Sequence, residues 1–237
     1  MKKLFIVMIA LAMVVGFYGY LYATGSGAGL KNSPHDFASG TGNDAWNSRP
    51  SELCRTCHVP HDHNRATAIQ AGIATSGLLW NHKLSQVVNY TLYASPSLTG
   101  AISQPTGTTK MCLGCHDGTI ALEAMDEVAD GGYGTTTYIQ DINADYRVPG
   151  TAMTPSLQGT HPISVVYDVS DTGLKPTSDL MGGSGTIASL LDVGGKVQCS
   201  TCHDVHDQES VSGTHLLRVK NKDAANPSGL CVVCHNK

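Results

Sequence analysis

The pattern of apolar and polar positions predicts one long apolar segment at the amino terminus. Two lysines precede an apolar run that extends from Leu4 to about Tyr22, and small residues follow. This layout is typical of a secretory signal peptide over residues 1–23, cleaved near Ala23. Because the run is long for a signal, an uncleaved membrane anchor is the alternative. Either way we expect the functional part outside the cytoplasm: secreted, extracellular or at the cell surface, with a periplasmic location as the alternative.

Beyond the apolar run, the patterns predict only short elements. Residues 120–129 place apolar side chains on one helical face, and β-branched residues alternate in 161–169 as in a strand. Residues 184–195 predict one or two helical turns that end at glycines. The rest of 117–160 is rich in Gly and Thr and predicts a loop.

The motif Cys-x-x-Cys-His occurs four times and uses all eight cysteines of the chain. We call residues 54–58, 112–116, 199–203 and 231–235 motifs 1 to 4. No thiol therefore remains for a disulfide, a lipid or a catalytic nucleophile. The predicted cofactor-binding cysteines are Cys54, Cys57, Cys112, Cys115, Cys199, Cys202, Cys231 and Cys234, and the predicted iron-binding histidines of the motifs are His58, His116, His203 and His235.

This spacing is typical of covalently bound haem. The two thiols add across the two vinyl groups of the porphyrin, and the histidine binds iron. Pairs of four-cysteine zinc sites are the alternative, but they leave the histidines unexplained. Histidine is 11 of 237 residues, so its chance occurrence after all four cysteine pairs has a probability on the order of 10⁻⁵. We therefore predict four covalently bound haem c groups.

The composition supports a haem core. After the signal, the chain has one phenylalanine, Phe37, and two tryptophans, Trp46 and Trp80, so the polypeptide alone would bury little apolar surface. The predicted fold class is a multihaem cytochrome c: mostly irregular coil, with short helices at the haem motifs and few strands, wrapped around a four-haem core. The formal net charge is only −4 and no basic run is present, so nucleic acid is not an expected partner.

An internal repeat divides the chain into two halves. Each half has an upstream histidine, a haem motif followed by a further histidine, a leucine-containing stretch with a histidine, and a closing haem motif. The predicted organisation is a first di-haem half at 24–120, a connection rich in Gly and Thr at 121–160, and a second di-haem half at 161–237.

Histidines outside the motifs are candidate ligands for the opposite faces of the irons. His35 and His161 adjoin prolines and so lie in extended or turn chain, from which a side chain can reach an iron. His82 follows apolar residues that would shield a haem face. His61 and His206 each stand three residues after a motif histidine, on the same helical face, so each would have to bind the iron of a different haem. Hydrogen-bonding roles are the alternative for these histidines, and His63 and His215 are weaker candidates.

The array "SPHDF", "CRTCHVPH", "LLWNHKLS", "MCLGCHDGTIA", "HPIS", "CSTCHDVH" and "LCVVCH" resembles the paired Cys-x-x-Cys-His multihaem cytochrome c family. Within that family the chain is most similar to the four-haem extracellular cytochromes that polymerise into conductive filaments. The resemblance covers almost the whole chain after the signal. It implies stacked haems in a continuous row, two histidines on each iron, identical subunits as partners, and a distal histidine donated by the neighbouring subunit, with His35 as one candidate.

Three functions are compatible with this pattern. The first is electron transfer along the haem row in a filament, with redox proteins or extracellular acceptors as partners and no enzymatic activity. The second is a monomeric periplasmic or membrane-anchored electron shuttle. The third is an oxyanion reductase, which would need a haem with an open face. Every motif ends in histidine, the distal candidates are numerous, and Arg55, Arg65 and Lys110 are scattered, so electron transfer is favoured over catalysis.

Overall fold

A computed structural model describes residues 29–31, 33–47, 50–59, 79–126, 136–151, 154–180, 185–208, 216–219 and 229–236. The predicted signal or anchor, 1–23, lies outside these residues, as do His61, His63 and His215. Among the described residues, none belongs to a helix that is long and apolar enough to span a membrane.

The described residues form short helices and one small sheet, joined by turns and extended chain. The α-helices are α1 (Gly107–His116), α2 (Ile139–Ile142), α3 (Ile187–Leu190), α4 (Cys199–Cys202) and α5 (Cys231–Cys234), the strands are β1 (Val165–Val166) and β2 (Lys196–Val197), and 3-10 turns cover Gly42–Asp44 and Ala144–Tyr146. The helix α1 has ten residues and contains motif 2.

The sequence determines both ends of α1. Thr106 is extended, and the helix begins at the next residue. After His116, the N–H of Asp117 bonds to the carbonyl of Leu113, and Gly118 takes a φ of +74°. A side chain is strained at that φ, and a Cβ there would lie 2.3 Å from Oε1 of Gln140. The glycine therefore ends the helix directly after the motif histidine.

Motifs 1, 3 and 4 share one backbone turn. In each, the N–H of the histidine bonds to the carbonyl of the first cysteine, at 2.8 Å in motif 1 and at 3.0 Å in motifs 3 and 4. In motifs 3 and 4 this turn is a single-turn helix, α4 or α5, and in motif 1 it is an isolated turn. Residues three and four apart lie on one face of such a turn, so both cysteines and the histidine project together.

The sheet lies in an apolar cluster that both halves of the chain build. The strands β1 and β2 pair antiparallel, with Val165 opposite Val197, and Ile102 bridges to Val165 from the other side. Around them pack residues from the first half and from α3 and α5. The members of the cluster are Val165, Tyr167, Ile187, Leu190, Val197 and Val233, with Leu98, Ile102, Leu174, Leu191, Val219 and Cys234 at its border.

Three smaller apolar clusters lie nearer the first two motifs. One joins Trp46, Leu122 and Met125, with Phe37 and Cys115 at its border. The other two centre on Leu84 with Met111, and on Tyr90 with Leu113 and Leu157. The apolar side chains of the described residues are thus divided among separate small groups.

Two of the local predictions for the middle of the chain are wrong. Residues 120–126 are turns and extended chain, because every side chain from Ile120 to Met125 is buried and the segment has no polar face. Their backbone pairs with Lys83 and Thr137 instead. The loop predicted for 117–160 contains α2 and the 3-10 turn Ala144–Tyr146. The predicted turns of 184–195 include α3, and the predicted strand at 161–169 is present only as the two residues of β1.

Candidate haem-binding sites

Each motif presents free thiols and one imidazole from a single turn of chain. All eight cysteines are free, with Cys54 and Cys231 exposed and the others partly buried. The motif turns are held by backbone bonds from distant segments: Asn81 to the carbonyl of Cys57, Arg218 to that of Cys202, and Lys175 to that of Cys234.

Three histidines from outside the motifs lie opposite motif histidines. The ring centroids of His35 and His116 are 6.1 Å apart, those of His58 and His206 are 6.2 Å apart, and those of His161 and His235 are 6.3 Å apart. Each pair joins one motif histidine with one predicted distal ligand. His35 faces motif 2, His206 faces motif 1 and His161 faces motif 4.

These separations match two imidazoles on opposite sides of one metal ion. A metal–nitrogen distance of about 2 Å and an imidazole radius of about 1.1 Å place the two ring centroids about 6 Å apart. Ordinary contacts between aromatic rings cover the same range of distances. Each of the three pairs joins a motif histidine to a histidine from outside the motifs.

Three imidazoles bond to backbone carbonyls through Nδ1. Nδ1 lies 2.7 Å from the carbonyl oxygen of Tyr146 in His116, 3.0 Å from that of Pro162 in His161, and 2.9 Å from that of Lys83 in His82. A carbonyl can only accept, so Nδ1 must carry the proton and donate it. In the neutral ring Nε2 is then the unprotonated nitrogen, as it is in metal-binding histidines.

His35 lies in the most apolar of the three pairs. Its ring meets the edge of Phe37 at 5.6 Å, and Phe37 in turn packs on Trp46 at 5.2 Å. Burial lowers the pKa of His35 to about 4, with a further contribution from His116. The imidazole is therefore held in its neutral form, the form that binds metals.

His82 is fully buried between motifs 1 and 2. Its Nε2 lies 3.4 Å from Sγ of Cys115, and its neighbour Asn81 bonds to the backbone of Cys57. A Cβ on Gly114 would lie 2.6 Å from the carbonyl of Lys83, so the chain next to His82 requires glycine inside motif 2. His82 thus contacts a cysteine that is predicted to bind haem, and ligation by His82 stays a prediction.

The histidine of motif 3 lies near the pair formed by His35 and His116. His203 follows α4 and bridges to Leu217 through its backbone. It lies close enough to His35 to affect the pKa of that imidazole. His61, the predicted ligand next to motif 1, lies outside the described residues.

A buried polar network fastens motif 2 to motif 3. The hydroxyl of Thr109 donates to Oε1 of Gln198 at 2.6 Å and accepts from the N–H of Cys199 at 3.1 Å. Ser164 donates to the same Oε1 at 2.9 Å. Thr108 adds a hydroxyl contact of 2.7 Å with Ser200. These hydrogen bonds hold helix α1 against helix α4.

This packing brings the thiols of two motifs into contact. A hydrogen bond from the thiol of Cys112 to that of Cys199 raises the pKa of Cys112 and helps to lower the pKa of Cys199 to about 7. Burial raises the pKa of Cys57 and of Cys115 to about 12. The thiols of Cys57 and Cys115 are therefore protonated near neutral pH. Cys112 and Cys199, the first cysteines of motifs 2 and 3, are neighbours.

Two buried residues of the site were not singled out by the sequence patterns. Asp117 and Gln198 are at most 2% exposed. Asp117 follows the histidine of motif 2 and accepts hydrogen bonds from Ser85, Tyr90 and Thr119. Asp204 likewise follows the histidine of motif 3 and is buried. The recurrence of aspartate directly after a motif histidine is the sequence signal that could have identified Asp117.

Within the described residues, no group of three or more histidine, cysteine, aspartate or glutamate side chains is arranged to hold a metal ion. A comparison of the chain with models of protein families, with curated proteins and with solved structures found no match.

Proposed function

We propose that this chain is a four-haem c-type cytochrome that carries electrons along a row of haems, each with two axial histidines. The observation that carries the proposal is the set of three ring pairs. In each, the ring centroids of a predicted distal histidine and a motif histidine lie between 6.1 and 6.3 Å apart, the separation of two imidazoles that bind one metal ion. Bound haem supplies reversible one-electron chemistry at its iron.

The side chains present suit this cofactor. Two thiols and an imidazole project from one turn at every motif, as thioether attachment and proximal ligation require. The carbonyls that accept from Nδ1 of His116 and His161 orient each imidazole and increase the basicity of Nε2. Under this proposal the ligand pairs are His116 with His35, His58 with His206, and His235 with His161. For motif 3 the candidates remain His61, His82 and, by resemblance, a histidine of a neighbouring subunit.

Closely spaced attachment points favour electron transfer over an isolated redox site. Cys112 contacts Cys199, so the haem edges tethered at motifs 2 and 3 would be neighbours. Burial raises the pKa of Cys202, and Cys234 and Cys231 raise it further, so motif 4 lies close to motif 3. Motif 3 therefore lies near both motif 2 and motif 4.

The same proposal includes assembly of identical subunits into an extracellular filament. The resemblance to polymerising four-haem cytochromes supports it. In addition, Val88, Val169, Leu180 and Val193 are between 66% and 74% exposed, and contacts between subunits would cover such side chains. The monomeric shuttle has the same haem chemistry and differs only in its state of assembly.

The test is to purify the protein from a host that attaches haem outside the cytoplasm. The proposal expects four haems per chain by pyridine haemochrome and intact mass, and a low-spin ferric spectrum. Colourless protein, or zinc in place of iron, would refute it. A substantial five-coordinate fraction in the intact assembly would instead favour a reductase. Negative-stain images then separate threads, which support the filament, from single particles of about 25 kDa, which support the shuttle.

A further inference from the structure

We propose that the planes of the paired imidazoles divide the haem sites into two electronic classes, and that the site with parallel planes is the hardest of the three to reduce. The proposal rests on the haem-binding function proposed above. The planes of His58 and His206 are 17° apart, whereas those of His35 and His116 are 70° apart and those of His161 and His235 are 65° apart. Motif 1 is thus the parallel site, and motifs 2 and 4 are crossed sites.

The angle matters because an imidazole donates π-electron density into the iron d orbital perpendicular to its ring. Two parallel rings raise the energy of the same d orbital. That orbital then holds the unpaired electron of ferric iron, and its energy lies well above that of the second d orbital. Two crossed rings raise both orbitals almost equally. The parallel site should therefore give a rhombic low-spin signal in electron paramagnetic resonance, and the crossed sites a strongly anisotropic signal with one prominent low-field feature.

The same orbital argument orders the reduction potentials. Donation into a half-filled orbital stabilises the ferric state, and donation into a filled orbital does not. Parallel rings direct both donations at the half-filled orbital, whereas crossed rings direct only one. The ring planes alone give this order, because His206 at motif 1 and His161 at motif 4 are both exposed.

Aromatic side chains set two of these planes. Trp80 stands nearly perpendicular to His58, at 88° and 6.1 Å, and the backbones of the two residues form a bridge. Flanking bonds from Val59 to Leu79 and from Asn81 to Cys57 fix that bridge. Phe37 meets His35 at 83°, and its carbonyl accepts from Asn47 at 2.7 Å. We assign Trp80 and Phe37 as positioning residues for the imidazoles of motifs 1 and 2.

The experiment uses the intact, fully oxidised cytochrome at low temperature. Both signal classes should be present, and during stepwise reduction the rhombic signal should disappear last. Trp80→Leu should shift the rhombic signal and leave the others, whereas Phe37→Leu should change only part of the crossed signal. Gln158→Ala, at an exposed position without an assigned role, is the control that should change neither.

The outcomes separate this inference from the proposed function. A low-spin spectrum with one signal class only, or a rhombic signal that disappears first, overturns the inference while the cytochrome assignment stands. Protein without any haem spectrum refutes the assignment itself. If Trp80→Leu does not accumulate, the wild-type spectrum and its redox titration decide the matter alone.

Discussion

The ring of His206 lies 6.2 Å from the ring of His58, although His206 follows motif 3 and His58 closes motif 1. His203 and His206 are three residues apart, so one short segment reaches two of the proposed haem-binding sites. The spacing predicts this arrangement, because a histidine beside a motif cannot reach the opposite face of its own porphyrin. Segment 203–206 therefore brings motif 1 next to motif 3.

Replacing His206 by alanine tests that relationship. His206→Ala should remove the distal ligand of motif 1 and convert about one haem in four to the high-spin form, while motif 3 keeps its own histidine, His203. Visible absorption and magnetic circular dichroism measure the change. Val205→Ala, at the adjacent exposed position, is the control. A spectrum of His206→Ala identical to wild type would contradict the pairing.

His35 and His161 should act independently of each other. Each faces a different motif histidine, so His35→Ala and His161→Ala should each create about one high-spin haem, and the double variant should create two. Added imidazole should restore the low-spin spectrum by filling the open coordination position. If neither single variant changes the spectrum, these histidines are not ligands.

The sequence predicts the local chemistry of the sites better than their partners. Thiol and imidazole spacing within a motif is a local property, and it suffices to name Cys112, Cys115 and His116 as one set. The partner of His116 depends on the path of the chain, and nothing near motif 2 distinguishes His35 from His82 before folding. The sequence indicates both His35 and His82 as candidates. Only the tertiary structure places the ring of His35 opposite His116 and that of His82 against Cys115.

The failures have the same physical origin. The one-sided apolar pattern of 120–129 predicts a helix, but the burial of every side chain in 120–125 removes the amphipathic reason for one. Gln198 precedes motif 3 as an unremarkable polar residue, and its role arises from contacts with Thr109 and Ser164, which are remote in sequence. Buried polar contacts of this kind carry no periodic signal.

Gln198 should be a principal contributor to stability between motifs 2 and 3. Gln198→Ala removes the acceptor of two buried hydroxyl donors, Thr109 and Ser164, and should lower the free energy of unfolding by about 2 to 3 kcal/mol. Denaturant titration with haem retained measures the loss. Gln158→Ala, at an exposed position, should change stability by no more than about 0.5 kcal/mol. Equal stabilities of the two variants would show that the network does not hold α1 against α4.

Asp117 should make the haem of motif 2 harder to reduce. Its carboxylate is fully buried next to His116 and accepts from the hydroxyls of Ser85, Tyr90 and Thr119. A buried negative charge beside the axial ligand stabilises ferric iron more than ferrous iron, because the ferric site carries one more positive charge.

Asp117→Asn removes that charge with little change in shape. The potential of motif 2 should rise by on the order of 60 mV, the shift that corresponds to a tenfold change in a one-electron equilibrium constant. Spectroelectrochemical titration measures it. Motifs 2 and 4 both have crossed planes, so the part of the crossed-plane signal that changes in Phe37→Leu identifies the haem of motif 2. Tyr90→Phe keeps the charge and removes one donor, so it should leave the potential unchanged or lower it slightly. A rise of equal size in both variants would mean that loosened packing, and not the charge of Asp117, sets the potential of this haem.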